Sequence, residues 1–158
     1  MNLKTQIRAV RAIPYGLYVV GSNTRGIVST IVANWLTQVS FDPLQIAIAI
    51  EKDSTMRQQI EQSSVFSVNM LPAGGKDVAK SFLKASVPAG GAINGREYTL
   101  SKGGTPFLND AHISIECTVV QTIPTGDHLL FIAEVTDAVV RQEGDTLTLK
   151  ETGWRYSR

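Results

Sequence analysis

Cysteine and histidine are scarce in this chain of 158 residues. It contains one cysteine, Cys117, and two histidines, His112 and His128. One cysteine excludes an intrachain disulfide, a cysteine-bound iron–sulfur cluster and a cysteine-based structural zinc site. Two histidines are too few for a histidine-rich metal centre within one chain. We therefore expect no bound metal, a cytoplasmic location with a reducing environment, and an organic cofactor for any redox chemistry.

A strong charge of one sign and long apolar runs are also lacking. Fifteen Lys and Arg residues nearly balance fourteen Asp and Glu residues, which leaves a net charge of +1. This balance provides no electrostatic footprint for nucleic acid or acidic lipid. The central apolar run, Ile46 to Ile50, is far shorter than a membrane span, and Lys4, Arg8 and Arg11 interrupt any signal-peptide core. The sequence predicts a soluble protein that binds neither nucleic acid nor membrane.

Glycine motifs for nucleotide phosphates are absent as well. No Gly-x-Gly-x-x-Gly follows a predicted strand and opens a helix, and no Walker-type Gly-Lys-Ser/Thr is present. A Rossmann fold is therefore disfavoured. The length favours a single domain covering residues 1–158.

The most informative stretch that is present runs from Gly26 to Asp53. It predicts two extended segments, Gly26 to Phe41 and Leu44 to Ile50, with a turn at Asp42-Pro43. In the second segment, Leu and Ile alternate with Gln and Ala. One face would therefore pack a core, while the other has only short side chains at its centre.

The first of these segments carries polar groups between its apolar residues. Ser29, Thr30 and Asn34 offer more hydrogen-bonding capacity than a plain core strand needs. A flat, partly polar ligand would fit such a surface.

Patterning along the rest of the chain predicts short helices and further strands. Helices are expected at residues 3–12, for about two turns from Thr55, whose spacing to Gln58 suits a capping box, and at 76–84. Strands are expected to begin at 17–20 and to cover 65–71, 112–123, 129–140 and 146–150. Residues 85–111 are rich in Gly, Pro, Ser and Asn, which leaves two alternatives, a partly ordered lid or a set of short elements.

About seven strands and a few short helices, without βαβ alternation, favour a mainly β protein. The fold class we expect is an antiparallel barrel with short helices at its ends.

Three separated pieces of sequence together resemble a known family. They are Gly26 to Pro43, the segment 51–55 with the later 66–71, and Thr125-Gly126-Asp127-His128. In this order and spacing the chain is similar to the flavin reductase-like family of FMN-binding split barrels, from about Pro14 to about Val135. Ala33-Asn34-Trp35 and Ser40 to Pro43 are similar to the C-terminal flavin reductase module of cyanobacterial flavodiiron proteins.

The resemblance implies a split β-barrel, typically a homodimer, that binds FMN or FAD near the subunit interface and reduces it with NADH or NADPH. It also implies a set of flavin-binding positions along one strand, at the start of the following helix and in a later helix. These are Ser29, Thr30, Ile31, Val32, Ala33, Asn34, Lys52, Ser54, Thr55 and Phe82.

Several of these positions have a simpler explanation. Ser and Thr decorate many solvent faces, Ser54 and Thr55 suit an ordinary helix N-cap, and Phe82 has the spacing of a core residue. By the resemblance, Ser54 and Thr55 would instead meet the flavin phosphate at a helix N-terminus. Trp35 departs from the family, in which many members have a small residue at this position.

His128 is the candidate catalytic residue. It is similar to the family histidine that lies beside flavin and nicotinamide, and its expected role is to orient nicotinamide or to support the charge of reduced flavin. A histidine that opens a strand is otherwise often structural.

Three functions are compatible with the resemblance. The first is an NAD(P)H-dependent flavin oxidoreductase that supplies reduced flavin or electrons to a partner protein. The alternative is a flavoredoxin-like FMN electron carrier without its own nicotinamide site. The third is a domain of the same fold that only binds or stores flavin.

Overall fold

The computed structural model describes residues 2–156, which form four helices and eleven strands. The helices are α1 (Leu3–Val10), α2 (Thr55–Ser63), α3 (Lys76–Lys80) and α4 (Leu149–Thr152). The strands are β1 (Tyr18–Thr24), β2 (Ile27–Ala33), β3 (Leu36–Phe41), β4 (Leu44–Glu51), β5 (Val65–Met70), β6 (Pro88–Ala89), β7 (Ala92–Ile93), β8 (Arg96–Leu100), β9 (Pro106–Leu108), β10 (Ile113–Pro124) and β11 (His128–Val140). The long strands form one antiparallel sheet in the order β2-β1-β5-β10-β11-β4-β3, and β6 to β9 form a second.

The two edge strands of the large sheet follow one another directly in the chain. Only Asn34 and Trp35 separate β2 from β3, although these strands lie at opposite ends of the strand order. A link of this length spans about 11 Å at most, so the two edges must meet here. The Trp35 carbonyl also accepts a hydrogen bond from the Ala49 amide of β4 at 3.0 Å. The sheet thus closes at one end, and the predicted split barrel is confirmed.

The predicted single extended segment from Gly26 to Phe41 is wrong in one respect. The chain leaves one sheet edge at Ala33 and joins the other at Leu36, so the segment is divided into β2 and β3. A switch between edges of this kind leaves no mark in the alternation of apolar and polar residues.

Local sequence explains the hairpin and the strand that flank this region. Arg25 and Gly26 both have positive φ, 54° and 84°, and form the two-residue turn between β1 and β2. In β4, Ile46, Ile48 and Ile50 are buried, as their period of two predicts. The turn predicted at Asp42-Pro43 joins β3 to β4.

Residues 85–111 form short elements, the second of the two alternatives. The strands β6 to β9 lie in this range and build the small sheet. Asn69 of β5 fastens that sheet to the barrel, because its Nδ2 donates to the carbonyls of Val19 and Pro106 and its Oδ1 accepts from Leu108 N and Ser114 Oγ. The small sheet is therefore part of the packed structure.

Two further predictions need correction. Helix α2 is capped by Ser54, whose Oγ accepts from Arg57 N at 3.1 Å, and not by a capping box at Thr55 and Gln58. The strand predicted at 146–150 is absent from the described residues. Thr146 and Thr148 make isolated bridges to Pro72 and Gly16, and α4 begins at once because Thr148 caps the amide of Glu151.

The apolar interior has two parts. One fills the barrel and includes Phe66, Phe131 and the fully buried Cys117. The other lies between the barrel wall, α3 and the small sheet, and includes Leu71, Phe82 and others. Among residues 2–156, no helix has the length and apolar character needed to cross a bilayer.

We predict that Asn69→Ala lowers the free energy of unfolding by about 2–4 kcal/mol, since it leaves buried donors and acceptors of two sheets without partners. Urea unfolding measured by circular dichroism checks this value. Asn109→Ala is the matched control, because Asn109 is exposed and its amide lies 3.5 Å from Glu97. Equal stability of the two variants would contradict the role of Asn69.

Candidate functional site

A groove follows the outer edge of β2. Its larger part, of about 490 Å³, lies between β2, the start of α2 and the segment 82–86. Its smaller part, of about 210 Å³, continues toward Asn34, Ala49 and Ser54. Ile31 and Val32 line both parts. All predicted flavin-binding residues except Lys52 line this groove, namely Ser29, Thr30, Ile31, Val32, Ala33, Asn34, Ser54, Thr55 and Phe82.

The backbone of β2 faces the groove because β2 is an edge strand of the sheet. Thr30 N donates to Ser86 Oγ at 2.9 Å, and Ser86 Oγ donates to Thr30 O at 3.1 Å. Alternate residues of a strand project their amide and carbonyl groups to the same side. Val32 therefore presents its N–H and C=O to the groove beside Ser86.

Asn34 carries an unsatisfied donor at the inner end of the groove. Its side chain is 6% exposed, and its Nδ2 has no hydrogen-bond partner within residues 2–156. A buried amide group without a partner is costly. This atom is suited to a ligand with an acceptor in the small part of the groove.

The start of α2 forms one wall and is held by side chains of its own. Ser54 Oγ donates to Glu51 O at 2.8 Å while it caps the helix. Arg57 uses Nε to donate to Lys52 O and one terminal nitrogen to pair with Glu61, both within 2.8 Å. Arg57 is thus engaged in fixing the helix start. Thr55 lines the groove directly.

Lys52 does not line the groove, although it lies between Glu51 and Ser54, which do. Its Nζ donates to the carbonyls of Thr125 and Gly126 at 2.7 and 3.1 Å, and its amide donates to Asp127 O at 3.0 Å. The ammonium group therefore secures the turn that precedes His128. The Lys52 backbone lies at the start of α2, where its carbonyl accepts from Arg57 Nε, while its ammonium group lies on the histidine side of the site.

Two other predicted residues have double roles. Phe82 is 2% exposed and packs in the second core cluster, yet it also lines the groove. Ser29 accepts a hydrogen bond from Gln59 Nε2 at 2.9 Å, and Gln59 in turn accepts from Ser22 at 2.6 Å. This bridge holds α2 against β2 and fixes the width of the groove.

His128 opens β11 and is 5% exposed. Its Nδ1 lies 2.6 Å from Asp127 Oδ1, and its Nε2 lies 3.0 Å from the Tyr156 hydroxyl. Tyr156 donates to Glu51 Oε1 at 2.5 Å. The Trp35 ring lies over the imidazole, with centroids 4.5 Å apart. The imidazole is therefore held on both nitrogens and on one face.

A cavity of about 280 Å³ lies beside this group. Its walls are aromatic, carboxylate and imidazole side chains together with the last part of α1, namely Ile7, Val10, Arg11, Tyr15, Trp35, Glu51, Asp127, His128 and Tyr156. Tyr156 and Glu51 line both this cavity and the small part of the groove. Tyr156 therefore stands between the histidine cavity and the groove.

Sequence reasoning missed Glu51 and Tyr156 as site residues. Tyr156 lies 28 positions after His128, and Glu51 lies 105 positions before Tyr156, so no spacing rule connects them. The available signals were the aromatic residue in the C-terminal segment and the place of Glu51 in the segment 51–55.

The other histidine and the cysteine lie elsewhere. His112 Nε2 contacts Thr146 Oγ1 at 3.0 Å and ties the C-terminal segment to β10. Cys117 is buried in the barrel, where desolvation and the neighbouring Glu116 carboxylate raise the pKa of its thiol to about 12. Within residues 2–156, no three His, Cys, Asp or Glu side chains are placed to hold a metal ion.

The split barrel, with a groove along its edge strand, belongs to the class of flavin reductase split barrels. The model of the flavin reductase like domain matches residues 10–156. The chain therefore belongs to the flavin reductase-like domain family, as the sequence resemblance predicted.

Two relatives show the range of proteins that share this sequence. A putative diflavin flavoprotein A 2 from a Nostoc species is 30% identical over 134 residues, which cover 84% of this chain and 23% of the relative. The chain thus spans about a quarter of the cyanobacterial relatives that it matches. A ferric-chelate reductase (NAD(P)H) from Archaeoglobus fulgidus is 30% identical over 152 residues, which cover 90% of this chain and 85% of the relative.

Solved structures agree with this assignment. The NADH:FAD oxidoreductase SgcE6 from Streptomyces globisporus superposes with a TM-score of 0.83 and 26% identity, covering 99% of this chain and 94% of that one. The flavin reductase PheA2 has a TM-score of 0.78 and 28% identity, covering 92% of each chain.

The burial of Cys117 gives a prediction about the reactivity of its thiol. With a pKa of about 12, Cys117 is a thiolate in roughly one molecule in ten thousand at pH 8. We expect no reaction with Ellman's reagent at pH 8 in the folded protein and one thiol per chain in guanidinium. Rapid labelling of the folded protein would contradict this burial.

Proposed function

We propose that this protein is an NAD(P)H-dependent flavin oxidoreductase that binds FMN in the groove along β2, with FAD as the other possible flavin. The observation that carries the proposal is the buried and unsatisfied Nδ2 of Asn34 at the inner end of the groove. A flavin ring has carbonyl oxygens on its pyrimidine edge, and these are suitable acceptors for an amide donor. The residues that line the groove therefore fit a flavin.

The remaining walls suit the other parts of a flavin. The edge backbone at Val32 offers further hydrogen-bonding groups, and Ile31 supplies apolar contact beside them. The N-terminus of α2 with Thr55 suits an anion, because free amides and the helix dipole favour negative charge. Ser54 is already engaged as the cap, so its contribution to a phosphate site is mainly to hold the helix start.

A bound flavin would supply a ring that accepts a hydride from a nicotinamide stacked on it. This chain would contribute position rather than acid–base chemistry. Trp35 and His128 form a rigid wall beside the groove, and Asp127 and the Lys52-fastened turn fix the direction of the imidazole. Such a wall would orient a nicotinamide ring in the adjoining cavity, and Tyr156 would have to move aside for that ring to reach the flavin.

The proposal extends to assembly and partners. We propose a homodimer, supported by Phe41, which is 90% exposed at the β3–β4 hairpin beside Leu44, 46% exposed. Reduced flavin or its electrons would pass to a separate redox protein. The single cysteine supports work in the cytoplasm.

One observation favours a second function, that of a flavoredoxin-like electron carrier. Tyr156 contacts the Nε2 atom of His128 and separates the histidine cavity from the groove. If the tyrosine keeps this position, a nicotinamide ring cannot stack against a flavin in the groove. The protein would then hold FMN and exchange electrons only with another protein.

Flavin binding is tested by titrating the purified protein with FMN and with FAD. We expect quenching of flavin fluorescence and a rise in melting temperature. Asn34→Ala should weaken binding about tenfold, the usual effect of losing one hydrogen bond from a buried donor. Asn109→Ala, which removes an exposed amide that does not line the groove, should leave binding unchanged. A protein that neither quenches FMN nor gains stability from it lacks the proposed cofactor.

His128→Ala is expected to slow nicotinamide-dependent flavin reduction by about ten- to a hundredfold, because the nicotinamide ring loses the imidazole that positions it. FMN affinity should change much less, since His128 does not line the groove. Stopped-flow reduction with NADH and NADPH, together with FMN titration, separates the two effects. His112→Ala controls for the loss of a buried histidine.

If His128→Ala lowers the reduction rate and the FMN affinity equally, His128 does not have the proposed role of positioning nicotinamide. Bound flavin that neither nucleotide reduces, but that a redox protein does, would establish the carrier instead.

A further inference from the structure

A large cavity of about 840 Å³ lies between α1 and the C-terminal segment. Four cationic side chains line it, and we call them the basic vestibule: Arg8, Arg11, Lys150 and Arg155. The described residues that line this cavity include no Asp or Glu. In a chain with a net charge of +1, this is a local concentration of positive charge.

The fold assembles the vestibule from both ends of the sequence. Arg8 lies in the last turn of α1 and Arg11 is its C-cap, so their spacing of three places them on one face. The Leu149 amide donates to Tyr15 O at 3.1 Å, which brings α4 and the residues after it against the segment that follows α1. All four cationic side chains belong to exposed residues.

The vestibule is continuous with the histidine cavity. Arg11, Tyr15 and Tyr156 line both spaces. A molecule with its ring beside His128 would therefore extend its remaining part into the vestibule. Trp154 lines the vestibule as well and offers an indole edge or face for an adenine base.

From these observations we infer that the basic vestibule binds the phosphate-bearing part of the nicotinamide dinucleotide and selects NADPH over NADH. This inference rests on the proposed function. The pyrophosphate of either dinucleotide carries about two negative charges, and the 2′-phosphate of NADPH adds about 1.5 to 2 more at pH 7. The larger charge of NADPH suits a cluster of cations, and arginine suits phosphate because it donates two parallel hydrogen bonds.

FAD also carries a pyrophosphate, so it is the second candidate ligand for the vestibule. The vestibule shares only Tyr156 with the groove proposed for flavin, whereas it shares Arg11, Tyr15 and Tyr156 with the histidine cavity. An FAD arm would have to pass this side chain, whereas a nicotinamide donor in the histidine cavity reaches the vestibule directly. The geometry therefore favours the nicotinamide dinucleotide over FAD as the molecule that occupies the vestibule.

The test is equilibrium binding of NADP⁺ and NAD⁺ by calorimetry, because the oxidised forms bind without turnover. The flavin-loaded protein should bind NADP⁺ about tenfold more tightly than NAD⁺, as expected for extra charge-assisted contacts. In Arg8→Gln/Arg155→Gln this ratio should fall close to one. Raised salt should weaken NADP⁺ binding more in the parent protein than in the double variant.

The matched control is Arg25→Gln/Lys102→Gln, which removes the same charge from exposed residues that do not line the vestibule. It should keep the preference for NADP⁺. Equal affinity for both nucleotides in the parent protein, or an unchanged ratio in the vestibule variant, overturns the inference. Weaker FAD binding in the vestibule variant, with nucleotide binding unchanged, also overturns it and assigns the vestibule to the flavin.

The same variants separate this inference from the proposed function. Reduction of flavin by NADH and NADPH at equal rates, with equal affinities, would support the oxidoreductase and reject the vestibule. Tighter NADP⁺ binding that depends on Arg8 and Arg155, without any flavin reduction, would support the vestibule and reject the oxidoreductase.

Discussion

Closure of the barrel at Asn34 and Trp35 is the constraint on which the rest of the site depends. The chain crosses from one sheet edge to the other within two residues, and the Trp35 carbonyl bonds to the Ala49 amide of β4. Next to this crossing β2 is an edge strand of the sheet, so the backbone of Val32 can face a ligand. The crossing also directs Trp35 over His128 and buries the amide of Asn34. The crossing thus shapes the inner end of the groove, whose other walls are α2 and the segment 82–86.

The two sides of the site are joined by a short polar chain. Asp127, His128, Tyr156 and Glu51 contact one another in sequence, and Lys52 fastens the turn at one end. Such a network is rigid when every member is satisfied, because each group limits the rotation of the next. The position of His128 is therefore set by residues from three separate parts of the chain. Hydride transfer in the groove would require Tyr156 to move aside so that a nicotinamide ring can approach.

Much of this organisation could be predicted from the sequence. Alternation in β4 and the turn at Asp42-Pro43 identified buried strands, and the polar residues of β2 do line a groove. The edge switch at Asn34, the contact of Lys52 with the 125–126 carbonyls and the position of Tyr156 could not be predicted. Each depends on residues that meet only after the sheet has closed, and local periodicity carries no information about such contacts. The strand predicted at 146–150 is wrong, because Thr146 and Thr148 make only isolated bridges and the four residues of α4 are too few for a recognisable helical pattern.

The aromatic residues of the C-terminal segment also allow its position to be followed by tryptophan fluorescence. It has only two tryptophans. Trp35 lies against His128 and Tyr156, while Trp154 lies in the C-terminal segment, with the Lys76 ammonium 5.7 Å from its ring centroid. Any displacement of the segment changes the surroundings of both indoles at once. Intrinsic tryptophan fluorescence therefore reports, without a label, whether Tyr156 remains in contact with His128 or has moved away.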